Sequence, residues 1–343
     1  MLEKHSSKDG VIMEETCLVT GANGHLGNNL VRLLTERGRQ VRAGIRRTDV
    51  LSAFDDINCE IVYADMLNRK SLEQSMRGVD TLYHCAAVFK HWAKNPQSEI
   101  IQANLDGTRN IFEIAAKLGV KQIIYVSSIV ALDRNRLPMN ELGWNKDFSS
   151  PYNQAKTVSE KLAWELAEKL GINLISVLPA AMIGPNVHGR MTPAMSLLSS
   201  IISNTSRVDI GFVQNFVDVR DVAAGMVDAA DRELSGKRYI LGNERPLSST
   251  MVFKLAHGLF DEIRIPPLAS KEYLLRFAAD EERKGEEPSL TTYDVELMHG
   301  ADIRLDISNA RRDLNFMPRP PEDAVTDALR YLSTNRTVYK RET

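Results

Sequence analysis

The sequence contains little cysteine and no long apolar run. Its three cysteines, Cys17, Cys59 and Cys85, each fall within a strand-like apolar segment. So few cysteines exclude a disulfide framework, and their spacing matches no zinc motif, so we expect buried free thiols in a reducing compartment and no metal site. No segment approaches the ~20 consecutive apolar residues of a membrane-spanning helix, and the first ten residues are polar where a signal peptide is apolar. We therefore expect a cytoplasmic protein without a membrane partner.

An excess of charge of one sign is also absent. The formal net charge is −2, with 26% charged and 43% hydrophobic residues, which is typical of a globular protein. Lysine and arginine are spread along the chain without a basic block, so we expect no nucleic-acid partner. The length of 343 residues exceeds one average domain and suits one large core with a smaller unit attached.

Short apolar segments alternate with helix-length amphipathic segments in the first half of the chain. The apolar segments cover residues 16–20, 40–45, 59–64, 80–86, 121–127 and 172–178. This alternation predicts an α/β fold with a doubly wound parallel sheet of the Rossmann type. After Pro179 the alternation weakens. We predict a polar N-terminal extension over 1–14, a Rossmann core over 15–180, and a smaller substrate-binding lobe in 181–343, from which 212–242 return to the core.

A glycine-rich turn directly follows the first predicted strand. It reads "TGANGHLG" and opens an amphipathic helix. Glycine permits a tight turn and close approach of the backbone to a pyrophosphate, and a helix N-terminus offers N–H groups to an anion. A plain strand-to-helix turn is the alternative, but the strand before and the helix after favour a dinucleotide site. The predicted cofactor-binding residues of this turn are Gly21, Asn23, Gly24, His25, Leu26 and Gly27.

Two arginines follow the second predicted strand. A site that prefers NAD would carry a carboxylate there for the ribose hydroxyls, but the strand runs into Arg46 and Arg47. Guanidinium groups fork onto phosphate oxygens, so the pair favours the 2′-phosphate of NADP(H), with two solvated surface arginines as the alternative. Asp65 ends the third strand and fits either a contact with the adenine or ordinary turn chemistry.

A tyrosine and a lysine four residues apart stand at the start of a predicted helix. Ser150 is expected to cap this helix and Pro151 to take its first position, so that Tyr152 and Lys156 share a face. The ammonium and the helix N-terminus would both lower the tyrosine pKa from ~10 toward the range useful for proton transfer. A surface pair on an amphipathic helix is the alternative explanation of this spacing.

Two serines earlier in the chain bear on whether Tyr152 and Lys156 are catalytic. Ser127 and Ser128 end the fifth predicted strand, at the sheet edge where open α/β sheets bind ligands. One hydroxyl could donate to a substrate oxygen beside the tyrosine, while the other serves as a hydrogen-bonded strand terminus. The order of strand, serine pair and tyrosine helix therefore favours a catalytic site.

The ordered motifs resemble those of the extended short-chain dehydrogenase/reductase family over nearly the whole chain. They read "TGANGHLG", "HCAA", "NLDGTRN", "YVSS", "YNQAK", "LPAAMIGP" and "FVDVRDVA". The resemblance implies that Ser128 polarises the substrate oxygen, that Tyr152 is the general acid in reduction and the base in oxidation, and that Lys156 also binds the nicotinamide ribose. Further implied cofactor contacts are Asp65 and Met66 at the adenine, Ala86, Ala87 and Val88 along the cofactor, Asn104 near the active site, and Pro179 to Ile183 at the nicotinamide. A helix cap or buried amide explains Asn104 equally well.

Within this family, the resemblance favours a reductase. Dehydratases carry an Asp-Glu pair after the catalytic hydroxyl, where this chain has Ile129 and Val130, which cannot move protons. Nucleotide-sugar epimerases generally carry an Arg-Asp-Phe segment where this chain has Gln214, Asn215 and Phe216. The best resemblance is to dihydroflavonol and cinnamoyl-CoA reductases, related ketone reductases and, more distantly, 3β-hydroxysteroid dehydrogenases. We therefore expect an NADP(H)-dependent carbonyl reductase or alcohol dehydrogenase, with a nucleotide-sugar epimerase as the alternative.

Loops after the fourth and sixth strands supply candidate substrate contacts. They are Phe89, His91, Trp92, His188 and Arg190, with Ser128 completing the set. Packing explains the two histidines better than substrate contact, and explains the aromatic residues about equally well. A non-catalytic dinucleotide-binding sensor or scaffold is a second alternative function. We expect a small carbonyl or alcohol as the substrate and a monomer or homodimer.

Overall fold

The structure is a computed structural model that describes residues 15–47, 51–188, 191–232 and 234–335. The predicted extension over 1–14 and the candidate Arg190 lie outside the described residues. The strands are β1 (Thr16–Thr20), β2 (Gln40–Ile45), β3 (Glu60–Tyr63), β4 (Thr81–His84), β5 (Gln122–Val126), β6 (Asn173–Pro179), β7 (Ala181–Ile183), β8 (Val213–Gln214), β9 (Phe216–Asp218), β10 (Lys237–Leu241) and β11 (Leu247–Ser248).

The α-helices alternate with the strands through the first half and then dominate the second. They are α1 (His25–Glu36), α2 (Arg69–Ser75), α3 (Ala103–Leu118), α4 (Pro151–Leu170), α5 (Pro193–Ile202), α6 (Val219–Asp231), α7 (Ser249–Leu259), α8 (Lys271–Glu282), α9 (Thr292–Met298), α10 (Ser308–Leu314) and α11 (Pro321–Thr334). A π-helical turn (Gln97–Gln102) leads into α3, and 3₁₀ turns cover Leu51–Phe54 and Ile129–Ala131.

A seven-stranded parallel sheet forms the core, in the order β3-β2-β1-β4-β5-β6-β10. The predicted α/β fold with a doubly wound parallel sheet is thus confirmed. The six predicted strands are present, and β10 adds a seventh at the edge beside β6. The third and fourth strands are shorter than expected, so Cys59 and Cys85 lie just outside them and are half-buried rather than buried.

Helices cover both faces of this sheet. Helices α1, α6 and α10 pack on one face through a core that includes Leu30, Met226 and Leu314. Helices α2, α3 and α4 pack on the other face through Leu72, Phe112 and other apolar residues. Because each face is buried, the sheet strands are apolar along most of their length, as in other all-parallel sheets.

The second half of the chain forms two further apolar cores outside the two faces of the sheet, and the helices around them are here called the lobe. Helices α5, α7 and α11 share one apolar core, and α8 and α9 share another. Two small sheets, β7 with β9 and β8 with β11, contribute Ile183, Phe216 and Leu247 to the first of these cores. Across the described part of the chain, no helix combines the length and the apolarity needed to cross a membrane.

The strand order places the ligand crevice. Strands β2 and β3 lie on one side of β1, whereas β4, β5 and β6 lie on the other, so the direction of the strand order reverses between β1 and β4. In open α/β sheets, ligands bind outside the carboxyl ends of the strands at such a switch point. The residues after β1, β4 and β5 therefore line the expected site.

Candidate active site

The glycine turn brings the backbone after β1 against the backbone after β4. Gly21 has a φ of +66°, and a Cβ on it would lie 2.9 Å from the Ala86 Cα. A Cβ on Gly27 would lie 2.2 Å from the Gly21 carbonyl oxygen. Side chains at either position would meet backbone that cannot rotate away, so both require glycine. The turn thus packs α1 closely against the ends of the two strands.

The N-terminus of α1 faces outward at this turn. Gly24 is its exposed N-cap, Asn23 before it is half-buried, and no described side chain caps the helix. The first N–H groups of a helix carry positive partial charge and suit an anion. The Leu26 side chain packs in the core, so a cofactor could reach this residue only through its backbone.

A segment distant in sequence braces the turn. The buried His25 ring donates from Nε2 to the carbonyl oxygens of Gly184 and Pro185, at 3.2 and 3.0 Å. Asn29 donates to the Pro185 oxygen at 3.1 Å. Burial lowers the pKa of His25 to about 4, so the ring is neutral at physiological pH. His25 therefore holds the glycine turn to the segment after β7, and its contact with a cofactor stays a prediction.

The two predicted phosphate-binding arginines follow β2. Arg46 and Arg47 are both exposed. The Arg47 guanidinium carbon lies 4.8 Å from the centroid of the Tyr63 ring, a cation–π distance. The arginines thus stand at the carboxyl end of β2, where the second ribose of a bound dinucleotide is expected.

The predicted adenine contacts, Asp65 and Met66, follow β3. The Asp65 carboxylate accepts a 2.9 Å hydrogen bond from the Leu67 backbone N–H, which is the turn chemistry considered above. Met66 is buried against Gly107, where a Cβ would lie 2.7 Å from its sulfur. Both residues therefore have structural partners, and an adenine contact would add to them.

The loop after β4 is fixed by Asn104. Its amide oxygen accepts from the Val88 backbone N–H at 3.0 Å, and its amide nitrogen donates to the Val88 and Ile100 carbonyl oxygens at 3.2 and 2.8 Å. Ala86, Ala87 and Val88 are half-buried. Asn104 is thus a satisfied amide that holds the shape of the loop expected to line the cofactor.

Tyr152 lies at the start of α4, as the capping signals predict. Ser150 caps the helix, accepting from the Asn153 N–H at 3.4 Å, and Pro151 takes the first position. Tyr152 is buried, and Ser128 is the side chain that acts on its phenol. Burial raises the pKa of Tyr152 to about 12, with the Ser128 hydroxyl opposing that rise. The expectation of a lowered pKa is therefore wrong for this structure, because desolvation of the phenolate outweighs the effect of Ser128.

Lys156 lies one turn farther along α4, below the tyrosine. Its ammonium donates to the Val126 carbonyl oxygen at 3.2 Å. Burial lowers the pKa of Lys156 to about 8, while Cys85 and Glu160 act to raise it. Burial and the nearby Lys156 charge also lower the pKa of His84, to about 3. The structure thus places a buried lysine beside the ends of β4 and β5.

The rings of Phe89, His91 and Tyr152 pack together at the start of α4. Phe89 stands edge-on to Tyr152 with ring centroids 5.1 Å apart. His91 is closer, at 4.6 Å from Tyr152 with a tilt of 35°. Trp92 is half-buried beside them in sequence. The printed ring contacts of His91, with Phe89 and Tyr152, fit packing, and a contact with the substrate stays a prediction.

The residues predicted after β6 fall in different surroundings. His188 lies within electrostatic reach of Arg32 and Asp56, at α1, and burial with the Arg32 charge lowers its pKa. The Ile183 side chain is fully buried in the lobe core, so a nicotinamide contact would have to use its backbone. Pro179 is the buried last residue of β6. His188 therefore lies near Arg32 of α1, and its contact with a substrate stays a prediction.

The lobe contributes a group that sequence reasoning missed. The Asn153 amide donates to the Tyr293 hydroxyl of α9 at 2.8 Å. Asp147 and the half-buried Arg134 guanidinium act electrostatically on Tyr293. No local pattern signals this cluster, since it forms only when the lobe packs on the start of α4.

The turn fits a nicotinamide dinucleotide. A Cβ at Gly21 would occupy the space between the turn and Ala86. The exposed N-terminus of α1 offers N–H donors to a pyrophosphate. Among the described residues, no group of three or more His, Cys, Asp and Glu side chains could hold a metal ion. The site therefore matches dinucleotide chemistry supported by side-chain hydroxyls and an amine.

Comparisons with known proteins agree with this geometry. The model of the NAD dependent epimerase/dehydratase family matches residues 17–242. Sterol demethylase protein B of Methylococcus capsulatus is 30% identical over 323 residues, which cover 92% of this chain and 97% of that protein. A Synechocystis protein with the provisional name dihydroflavonol 4-reductase is also 30% identical, over 95% of this chain and 96% of its own.

Solved structures share the whole architecture. The crystal structure of gox2253 superposes with a TM-score of 0.79 at 28% identity, covering 94% of this chain and 99% of that one. A UDP-glucose 4-epimerase and a yeast methylglyoxal/isovaleraldehyde reductase, each 19% identical, superpose with TM-scores of 0.76 and 0.73 and show the fold alone. The predicted family is thus confirmed: the chain belongs to the NAD dependent epimerase/dehydratase family and is an oxidoreductase-type extended short-chain dehydrogenase/reductase.

Proposed function

We propose that this protein is an NADP(H)-dependent carbonyl reductase, or the corresponding alcohol dehydrogenase, of the dihydroflavonol reductase-like type. The observation that carries the proposal is the grouping of Ser128, Tyr152 and Lys156 at the carboxyl end of β5. The Ser128 hydroxyl acts on the Tyr152 phenol, and Lys156, one helical turn farther along α4, donates to the Val126 carbonyl oxygen at the end of β5. The substrate is a small ketone or aldehyde, or its alcohol.

The side chains have separate tasks in this reaction. The bound reduced dinucleotide supplies the hydride. Tyr152 keeps its proton at neutral pH, because burial raises its pKa to about 12, and donates that proton to the substrate oxygen during reduction. Ser128 donates a hydrogen bond to the same oxygen and orients the phenol. The Lys156 cation stabilises the phenolate that remains.

The side chains around this group favour reduction over sugar-nucleotide chemistry. Ile129 and Val130 follow Ser128 directly and carry no proton-transfer group. At the epimerase-type position, Gln214 makes a long 3.9 Å contact from its amide to the Met298 sulfur. The next residue, Asn215, is buried and donates to the Asn243 and Ile303 carbonyl oxygens, so it is committed to the fold. Neither residue offers a cation for a sugar diphosphate.

The function is tested by NADPH oxidation with purified protein and a panel of ketones and aldehydes. Steady turnover of at least one carbonyl supports the proposal. Turnover of nucleotide sugars alone would favour the epimerase alternative. Tight NADPH binding with no turnover of any compound in either panel would favour the non-catalytic sensor or scaffold.

Cofactor choice is tested at Arg46. The Arg46→Ala variant is expected to weaken NADPH binding about tenfold to a hundredfold, because a charge-assisted hydrogen bond to the 2′-phosphate contributes ~1.5–3 kcal/mol. NADH lacks this phosphate, so its affinity should not change. Both affinities are measured by fluorescence titration. Arg276→Ala, at an exposed position of α8, is the matched control and should alter neither. Equal weakening of NADPH and NADH by Arg46→Ala would contradict the assignment.

A further inference from the structure

Glu160 is a carboxylate with no exposure to solvent, one helical turn beyond Lys156 on α4. A buried charge is costly unless it is paired and hydrogen-bonded. Glu160 is paired and hydrogen-bonded in this way by side chains at the end of β5, on β6 and on β10. The mechanism described above makes no use of it, so its place beside the catalytic group needs an explanation.

The hydrogen bonds of Glu160 reach the turn that carries Ser128. Ser127, the residue before Ser128, donates its hydroxyl to Glu160 Oε2 at 2.6 Å. Ser176 on β6 donates to Oε1 at 2.7 Å. Arg238 on β10 donates to both oxygens, at 2.8 and 3.0 Å. Glu160 thus ties the end of β5 to the middle of the helix that carries the tyrosine and the lysine.

Arg238 extends this connection to the loop that precedes α4. Its guanidinium donates to the Glu141 carbonyl oxygen at 2.6 Å and to that of Gly143 at 3.3 Å. The same guanidinium carbon lies 3.8 Å from the centroid of the Trp144 ring. The approach to the catalytic helix is therefore held by the same ion pair that holds Ser127.

We propose that Glu160 is a positioning residue for the reaction: through Ser127 it sets the separation of Ser128 and Tyr152, and its carboxylate acts on Lys156 from one helical turn farther along α4. Buried ion pairs contribute little net stability compared with apolar packing, so stability alone is a weak reason for one here. The inference rests on the proposed reductase function. It assigns a task to Glu160 and Ser127, which no catalytic step described above involves.

The groups near Lys156 show why the charge of Glu160 matters for the lysine. His84 at the end of β4 and Cys85 directly after it act on Lys156, the Val126 carbonyl of β5 accepts from it, and Glu160 acts on it from the same helix. Burial raises the pKa of the Cys85 thiol to about 12 and lowers that of His84 to about 3, so both are neutral at physiological pH. The carboxylate of Glu160 is left as the anion that opposes the effect of burial on Lys156.

The geometric part is tested with a matched pair of serine variants. Ser127→Ala and Ser176→Ala each remove one buried hydroxyl bonded to Glu160, at nearly equal distances. Ser127→Ala is expected to lower kcat about tenfold with little change in KM, since small displacements of reacting groups reduce rates strongly. Ser176→Ala should lower kcat much less, with a similar change in Tm. Equal losses of kcat in the two variants would show a merely structural role and overturn the inference.

The electrostatic part is tested with Glu160→Gln, which keeps the shape but removes the charge. Loss of the anion should lower the pKa of Lys156, followed by NMR of ¹³C-labelled lysine and assigned with Lys156→Arg. Activity that needs the ammonium is lost as pH rises through that pKa, so the alkaline limb of kcat/KM should move to lower pH. An unchanged Lys156 titration would overturn this part.

A double variant covers the case in which Glu160→Gln does not fold, and separate outcomes test the proposed function and this inference. If Glu160→Gln does not fold, Glu160→Gln/Arg238→Gln removes both charges and is titrated in its place, with the same direction expected for Lys156. The NMR titration requires no turnover. A wild-type protein that reduces no carbonyl would therefore defeat the proposed function, whereas equal serine variants in an active enzyme would defeat only this inference.

Discussion

Replacement of Tyr152 by phenylalanine is expected to lower kcat for carbonyl reduction by about 10²- to 10⁴-fold, the usual contribution of a general acid. The variant loses the hydroxyl that supplies the proton to the substrate oxygen and on which Ser128 acts. The ring remains, and so does its edge-on contact with Phe89 at 5.1 Å. Folding and NADPH affinity should therefore stay close to those of the wild type, as measured by thermal unfolding and fluorescence titration.

The matched control for this variant is Tyr239→Phe. Tyr239 is fully buried in β10, and its hydroxyl donates to Asp313 at 3.1 Å. The Tyr239→Phe variant therefore loses one phenolic hydrogen bond. Its removal should reduce Tm slightly and leave kcat unchanged. If Tyr152→Phe retained wild-type turnover, the acid would have to be another group, and the assignment of the active site would be wrong.

Replacement of Gly27 by alanine should abolish dinucleotide binding and destabilise the protein. A Cβ at this position would lie 2.2 Å from the Gly21 carbonyl oxygen and 2.9 Å from the Ala22 Cα. Both atoms belong to backbone, so α1 must move away from the turn. We expect a loss of about 1–3 kcal/mol in the free energy of unfolding, typical of overpacking, and no measurable NADPH binding. Urea denaturation and fluorescence titration give the two quantities.

Gly258→Ala is the control for the glycine variant. Gly258 lies within α7, and a Cβ there would meet no atom within 4 Å. Alanine has the higher helix propensity by about 0.5–1 kcal/mol, so this variant should be as stable as the wild type or more stable. A Gly27→Ala protein that binds NADPH normally would show that the turn does not hold the dinucleotide.

Most of the sheet could be predicted because its strands carry local signals. Buried parallel strands are apolar over short, separated segments, and residues 16–20 and 40–45 match β1 and β2 to the residue. The seventh strand, β10, was not predicted, since only three of its five residues are apolar and it becomes a strand by pairing with β6. Edge pairing of this kind depends on tertiary contacts rather than on local pattern.

The site shows the same division. The glycine turn, the serine pair and the cap of α4 are sequential motifs, so sequence reasoning could propose them. The direction of the Tyr152 pKa depends on burial by loops and the lobe, which the spacing of Tyr152 and Lys156 does not show. The contact of His91 with Tyr152 and the pairing of Glu160 with Arg238 likewise join segments that only folding brings together.

The hydrogen bonds of His25 to the segment after β7 can form only late in the synthesis of the chain. Its acceptors, Gly184 and Pro185, lie 159 and 160 residues farther along the chain. At synthesis rates of ~5–20 residues per second, α1 leaves the ribosome roughly ten to thirty seconds before its brace exists. A nascent chain that ends near residue 180 holds every predicted strand of the Rossmann core, yet its glycine turn lacks this brace. The complete nucleotide cradle is therefore a late product of translation.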